Sequence, residues 1–426
     1  MIGLGILHGG QTGRNHIAKA LTKNILEQLA KRAFDFFWRE THPESGFTKD
    51  RAHNHEHDRF EVSSIAASGY ALASLPIAVR RGWLSRTDAL RRAHRMMDGH
   101  LQLEHQRGWL YHFIHWESGK RMWQSELSSI DTGLFVMGAL FAAHAFEEAA
   151  LLRKVNLFYE RMDFLWMLTD GGAKPHERTL GHGWKPETGF LANRWDEYAE
   201  HMFLYVLAMG APNPIPKECW DAWRRPIVRY KEYELLLGGP LFIHQMSHLY
   251  LDLRGRRDRL GYNYWVSSRN ATLAQRAFCI EHRARFKTYD ADVWGLTASD
   301  GPDGYRAYGA PGWVDHDGTV APTAAITSII FTPDLSQRAA KAIHDRYSAR
   351  LWGRYGFGNA FNVDRDWYDP EVIGIDLGMM LLALENHRTG YVWEVCSKIP
   401  AVQRGMAAAG FRTTGERDET APLRST

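Results

Sequence analysis

The chain predicts an all-α fold, an (α/α)6 toroid with a loop-lined cleft at one end. Three observations support this. Apolar residues recur at helical spacing in one segment after another, with little of the alternation a half-buried strand shows. Glycine-rich loops separate these segments. No sharp linker or fixed-period repeat divides the chain, so paired helices that close on themselves fit better than an open solenoid.

The first candidate helix spans 19–39, where Leu21, Ile25, Leu26, Leu29, Ala33, Phe36 and Phe37 form one apolar stripe. Segments 61–81 and 85–105 follow. Ser85 stands ahead of Arg86-Thr87-Asp88, a cap with an acid in the first turn. The pattern continues over 124–148, 150–168, 193–209, 217–235, 241–254, 258–286 and 321–331. Thr332, Pro333 and Asp334 mark the next start, over 334–349, by cap, first-turn proline and early acid. The last candidate covers 371–388. Residues 1–18 are expected to be an N-terminal extension, 19–412 a single domain, and 413–426, polar and aperiodic, a disordered tail.

Composition excludes several classes of function. The 52 basic and 49 acidic residues are interspersed, with a net charge of +3 and no long basic run, so no nucleic-acid footprint is evident. Cys219, Cys279 and Cys396 lie far apart, without the spacing of a disulfide framework or zinc site. No membrane span is expected. The opening residues lack the pattern of a secretory signal, so the chain is expected to be cytoplasmic, or periplasmic if a leader precedes it. No P-loop, dinucleotide fingerprint or serine elbow occurs. His53, His55 and His57 read as an exposed loop. His244 and His248 have helical i, i+4 spacing, but Gln245 stands where a zinc protease has glutamate.

The aromatic content points to sugars. Many of the 16 tryptophans stand beside Gly, Asp, Asn or Arg rather than inside apolar stripes, as in GHGWKPETGF, NRWDEY and DVWGLTASD. Sugar rings present flat apolar faces to indoles, while polar neighbours bind the hydroxyls. Cleaving a glycosidic bond also needs one carboxylic acid to protonate the leaving oxygen and one carboxylate to activate water or attack. Glu200 follows Glu197 by three residues at the head of the apolar run Met202–Met209. Asp131 interrupts the apolar stretch SSIDTGLFVMGAL, five residues after Glu126. Asp376 lies between Ile375 and Leu377 at the head of another apolar helix. A carboxyl at such a buried edge has its pKa raised by desolvation. Asp364, Asp366 and Asp369 read as surface or turn residues.

Six segments in order resemble the glycoamylase-like domain family, which includes bacterial β-1,2-glucanases of glycoside hydrolase family 144. They are FDFFWRETHPESGFTKDR, SELSSIDTGLFVMGAL, GWKPETGFLANRWDEYAEHMFLYVLAMGAP, DVWGLTASDGPDGYRAYGAPG, DGTVAPTAAITS and IGIDLGMMLLALENHRTGYVW, together covering about residues 30 to 410. The resemblance implies an (α/α)6 barrel and hydrolysis of a β-glucan. The expected linkage is β-1,2, cleaved with inversion, and no cofactor or metal is expected. Glu200 matches the family's YxE acid, Asp376 its IDxG acid, and Asp131 the acid before Thr. Ser128 departs from the family's two-acid pattern. Glu200 is the expected general acid, Asp376 the base, and Asp131 a positioning group. Expected sugar contacts are Trp116, Trp184, Trp195, Glu197, Trp294, Tyr305 and Trp313, with Arg51, His244, Asp300 and Arg306 as hydroxyl partners. The only partner expected is an oligo- or polysaccharide. The alternatives are a transglycosylase and an inactive carbohydrate-binding protein.

Overall fold

The computed structural model describes residues 9–57, 59–312, 315–418 and 421–424. Its helices are α1 (Gly9–Arg39), α2 (Ile65–Arg80), α3 (Arg86–Leu101), α4 (Ser129–Phe146), α5 (Ala149–Glu160), α6 (Phe164–Leu168), α7 (Met202–Gly210), α8 (Cys219–Ala222), α9 (Leu241–Tyr250), α10 (Tyr264–His282), α11 (Pro322–Thr327), α12 (Pro333–Leu351), α13 (Gly374–Thr389), α14 (Tyr391–Cys396) and α15 (Pro400–Ala408).

Two kinds of helix alternate, and their sequences explain why. Helices α2, α4, α7, α9, α11 and α13 are apolar nearly all round, and almost every side chain on them is buried. A helix with no polar face has to be surrounded. These six meet in the cyclic order α2–α4–α7–α9–α11–α13 and back to α2, an inner ring that closes on itself. Helices α1, α3, α5, α10 and α12 bury one stripe against the ring and show solvent the other. In α1 the stripe Ile25, Leu29, Ala33, Phe36 and Phe37 is buried, as its spacing predicts. Helix α4 is apolar enough by length and composition to cross a membrane, but 83% of it is buried within the ring.

The ring closes where small residues let backbones touch. A Cβ on Gly138 of α4 would overlap the Gly69 carbonyl of α2, and Gly405 of α15 meets Val206 of α7 in the same way. Ser85 caps α3 by accepting from the Asp88 amide at 3.1 Å, as expected. Thr332 precedes α12 without capping it by its side chain. Its hydroxyl donates to Ser328 O at 3.4 Å instead.

Several elements differ from the sequence reading. Segment 217–235 is not one helix: α8 ends at Ala222, Trp223 is already extended, and past Pro226 Ile227–Tyr230 pairs with Tyr233–Leu236 as a hairpin. The outer place beside α7 goes to the C-terminal α15, which, like α14, has no counterpart among the expected helices. Segment 193–209 becomes helical only at Met202. At the ends, α1 runs through residues 9–18, and residues 1–8 lie outside the described residues. The end expected to be disordered is held down: Arg257 Nε donates to Glu416 at 2.8 Å, Asn263 Nδ2 to Asp418 at 3.0 Å, and the Asn263 amide to Leu423 O at 2.8 Å.

Candidate active site

The three acids singled out in the sequence sit at the N-terminal ends of three inner helices: Asp131 in the first turn of α4, Glu200 just ahead of α7, and Asp376 in the first turn of α13. Those ends converge on a cavity of about 460 Å³, lined by Asp131, Glu200 and Asp376 with Asp50, Arg51, His112, Phe113, Phe242, Met246 and Tyr305 among others. Short strand pairs bring the loop residues in. Arg51–His53 pairs with Glu371–Ile373, and Val62–Ser64 with Phe113–His115.

A helix N-terminus favours a carboxylate, but burial outweighs it for two of the acids. Burial pushes Glu200 up to about 7, and the charge of Asp131 adds to the effect. Burial likewise raises Asp376 to about 7, against Asn359, which donates Nδ2 to Asp376 Oδ2 at 2.5 Å, and against the charge of Arg51. The Asn359 amide is oriented from its other side, where Oδ1 accepts from the Asp300 N–H at 2.9 Å. Ser247 Oγ donates to Glu200 O at 2.6 Å and anchors that residue's backbone, leaving the carboxyl to face the cavity.

Asp131 is held differently. Ser128, the departure from the family's pattern, caps α4 through Asp131 N and donates Oγ to Asp131 Oδ2 at 2.5 Å. His112 Nε2 lies 3.5 Å from the same oxygen, and its Nδ1 lies 3.0 Å from Glu126 Oε1. Burial works against charge on this imidazole, yet Asp131, Glu126 and Asp50 together raise it to about 9. These ligand-type atoms lie within 4.8 Å of one another. With each ring nitrogen turned to a different carboxylate, the cluster is an imidazolium between two anions.

Arg51 gathers a second group. Its Nη1 lies 2.9 Å from Asp300 and 3.1 Å from Glu371, and its Nε 3.4 Å from Asp50. Asp369, expected at the surface, is 3% exposed, and burial together with the charge of Asp300 pushes it up to about 8.

The structure thus brings Asp131, Glu200, Asp376, Arg51 and Tyr305 to one cavity, with Asp300 behind Arg51. Other expected contacts lie elsewhere. Trp294 is fully buried, and its GLT flank packs in the core rather than at a rim. His244 is sealed 1% exposed beside Tyr198, and burial drops it to about 3, so it is neutral. Trp195 is buried, donating to Ser129 Oγ and stacking on His182. Trp116 donates to Glu40 O under Lys49, and Trp184 packs on Trp166. Glu197 pairs with exposed Arg224 at 2.8 Å, and Arg306 lies 4.0 Å from Asp315. Trp313 lies outside the described residues. His112 and Asn359 were missed: each stands on a strand edge or loop, where no periodicity marks a side chain as turned inward.

Comparison with known proteins agrees with this geometry. Residues 192–400 match the Glycoamylase family model, described as "Putative glucoamylase". The exo β-1,2-glucooligosaccharide sophorohydrolase (non-reducing end) of Parabacteroides distasonis is 24% identical, aligned over 90% of this chain and 57% of its own. The chain therefore spans little more than half the length of that curated relative. An endo-β-1,2-glucanase from Chitinophaga pinensis, solved with sophorotriose and glucose, superposes with a TM-score of 0.83 at 26% identity, over 92% of this chain and 98% of its own. A β-1,2-glucanase from P. distasonis shares the fold at a TM-score of 0.83 and 23% identity, over 91% of this chain and 60% of its own. An inner ring of six helices with acids at one end, in a chain matched over nine-tenths of its length by such structures, identifies the fold as an α/α toroid, within which residues 192–400 match the glycoamylase model.

Proposed function

We propose that this chain is a glycoside hydrolase that cleaves β-1,2-glucan with Glu200 as general acid and Asp376 as general base. One observation carries the assignment: the two carboxyls share a cavity, both are raised to about 7, and they differ in the groups beside them. Asp376 has a donor in Asn359 and a cation in Arg51, which stabilise the carboxylate against burial and the charges of Asp300 and Asp50. Beside Glu200 stands the anion Asp131, which stabilises the protonated form.

In the cleavage step Glu200 gives its proton to the glycosidic oxygen as the bond to the anomeric carbon breaks. Asp376 takes a proton from the water that attacks that carbon from the opposite face, so the product is inverted. Asp131, held by Ser128 and His112, stays in place as a charge that adds to burial in keeping Glu200 protonated near neutral pH. The linkage follows from the kinship with proteins named for β-1,2-glucan and its oligosaccharides.

Purified protein incubated with β-1,2-, β-1,3-, β-1,4- and α-linked glucans, with products separated by size and their anomeric form read by NMR, tests this. Shortening of the β-1,2 polymer alone, with inverted anomers, is the expected result. Longer or cyclic products, or cleavage of another linkage in preference, would refute it.

A further inference from the structure

Trp123 belongs to no part of the site so far described, and its side chain is 60% exposed. Its indole leaves a large, flat apolar face open to solvent. Its backbone is also unusual. Trp123 (φ 53°) and Gln124 (φ 50°) are consecutive non-glycine residues in the left-handed region, which side chains with a Cβ rarely adopt.

The turn that holds them is fastened on several sides. The Met122 amide donates to Phe113 O at 3.0 Å, and Ser125 Oγ bonds both the amide and the carbonyl of Phe113. Arg121 donates to Ser125 O at 2.6 Å and grips Glu187 with both terminal nitrogens, at 2.6 and 3.0 Å. The indole is therefore presented outward by a braced loop.

From there an aromatic run leads to the catalytic carboxyls. Trp123 lies 5.1 Å from Phe113 and 6.4 Å from Phe60, ring to ring, inclined at 60° and 62°. Neither neighbour lies flat on the indole. Phe113 stacks on His112 at 3.8 Å, and both line the cavity that Asp131 enters. A cavity of about 460 Å³ is of the size that encloses a small ligand. A polysaccharide longer than that has to leave through its mouth.

We propose that Trp123 is a sugar-stacking platform outside the cavity, a distal subsite for a glucose ring of a glucan chain too long for the cavity itself. The proposal rests on the glucan-cleaving reading above. An apolar sugar face packs on the open indole while the ring hydroxyls stay in water, so the contact adds affinity for long chains and leaves short ones unaffected.

The test compares wild type with Trp123→Ala and Trp123→Phe on a β-1,2-linked trisaccharide and on polymeric β-1,2-glucan. The expected result is a loss of about tenfold in kcat/KM on the polymer for the alanine variant, carried by KM, with trisaccharide turnover unchanged and most of the loss restored by phenylalanine. Equal polymer kinetics in all three proteins would overturn the platform, as would an equal loss on both substrates. Calorimetric titration with the polymer in an Asp376→Asn background separates this failure from failure of the hydrolase reading. If wild type cleaves neither substrate, the hydrolase reading fails. The platform still stands if Trp123→Ala weakens polymer binding about tenfold, and falls if it does not.

Discussion

Individual side chains adjust two carboxyl equilibria that burial has already raised. Asn359 is the test on the base side. Its amide stabilises ionised Asp376, so Asn359→Ala should raise the Asp376 pKa further and move the acidic limb of the pH–rate profile to higher pH. We expect kcat to fall by about tenfold, the scale of one lost hydrogen bond to a charged group. On the acid side, Asp131→Asn removes the charge that helps hold the Glu200 proton. Glu200 should then lose its proton at lower pH, and the alkaline limb of kcat/KM should move down. Steady-state rates measured across pH for both variants check these shifts; limbs that stay in place would detach the residues from their assigned partners. Asp131 and Asp376 were legible in the sequence because each interrupts an apolar helix, where an unpaired charge is costly. His112 and Asn359 were not, since their importance comes from a partner distant in the chain. Trp294 misled for the converse reason: glycine and aspartate beside a tryptophan suggest a rim, but tertiary packing sealed it in the core.

Among the elements, the inner helices were the most legible because their apolar runs have no polar face to show solvent. Segment 217–235 was misread because its charged and apolar residues fit a helix almost as well as the hairpin that Pro226 permits. No periodicity reports how closely two inner helices approach. Glycine at Gly138 is required by that approach, since any Cβ there meets the Gly69 backbone. In an isolated helix Gly→Ala would stabilise by about 1 kcal/mol. Here overlap with rigid backbone should dominate, and Gly138→Ala should destabilise by about 2–3 kcal/mol. Denaturant unfolding that gives equal or greater stability for the variant would show that α2 and α4 can separate at little cost.

For the molecule as a whole, gathering inner-helix N-termini around one cavity places acids where water is scarce, and stability suffers for it. Glu200 has a folded pKa of about 7 against an ordinary 4.5. Below the ordinary value both folded and unfolded chains hold the proton and nothing is lost. As pH rises toward and past 7, the unfolded chain ionises more readily and the fold is penalised. Glu200→Gln should therefore stabilise the protein by about 1–2 kcal/mol at pH 8 and make little difference at pH 4. The same substitution removes the proposed proton donor, so its rate on β-1,2-glucan is the most direct test of the central claim. With Glu200 as general acid, kcat/KM should fall by at least about 100-fold, while the variant remains folded. A folded Glu200→Gln protein that cleaves the glucan at close to the wild-type rate would contradict the account.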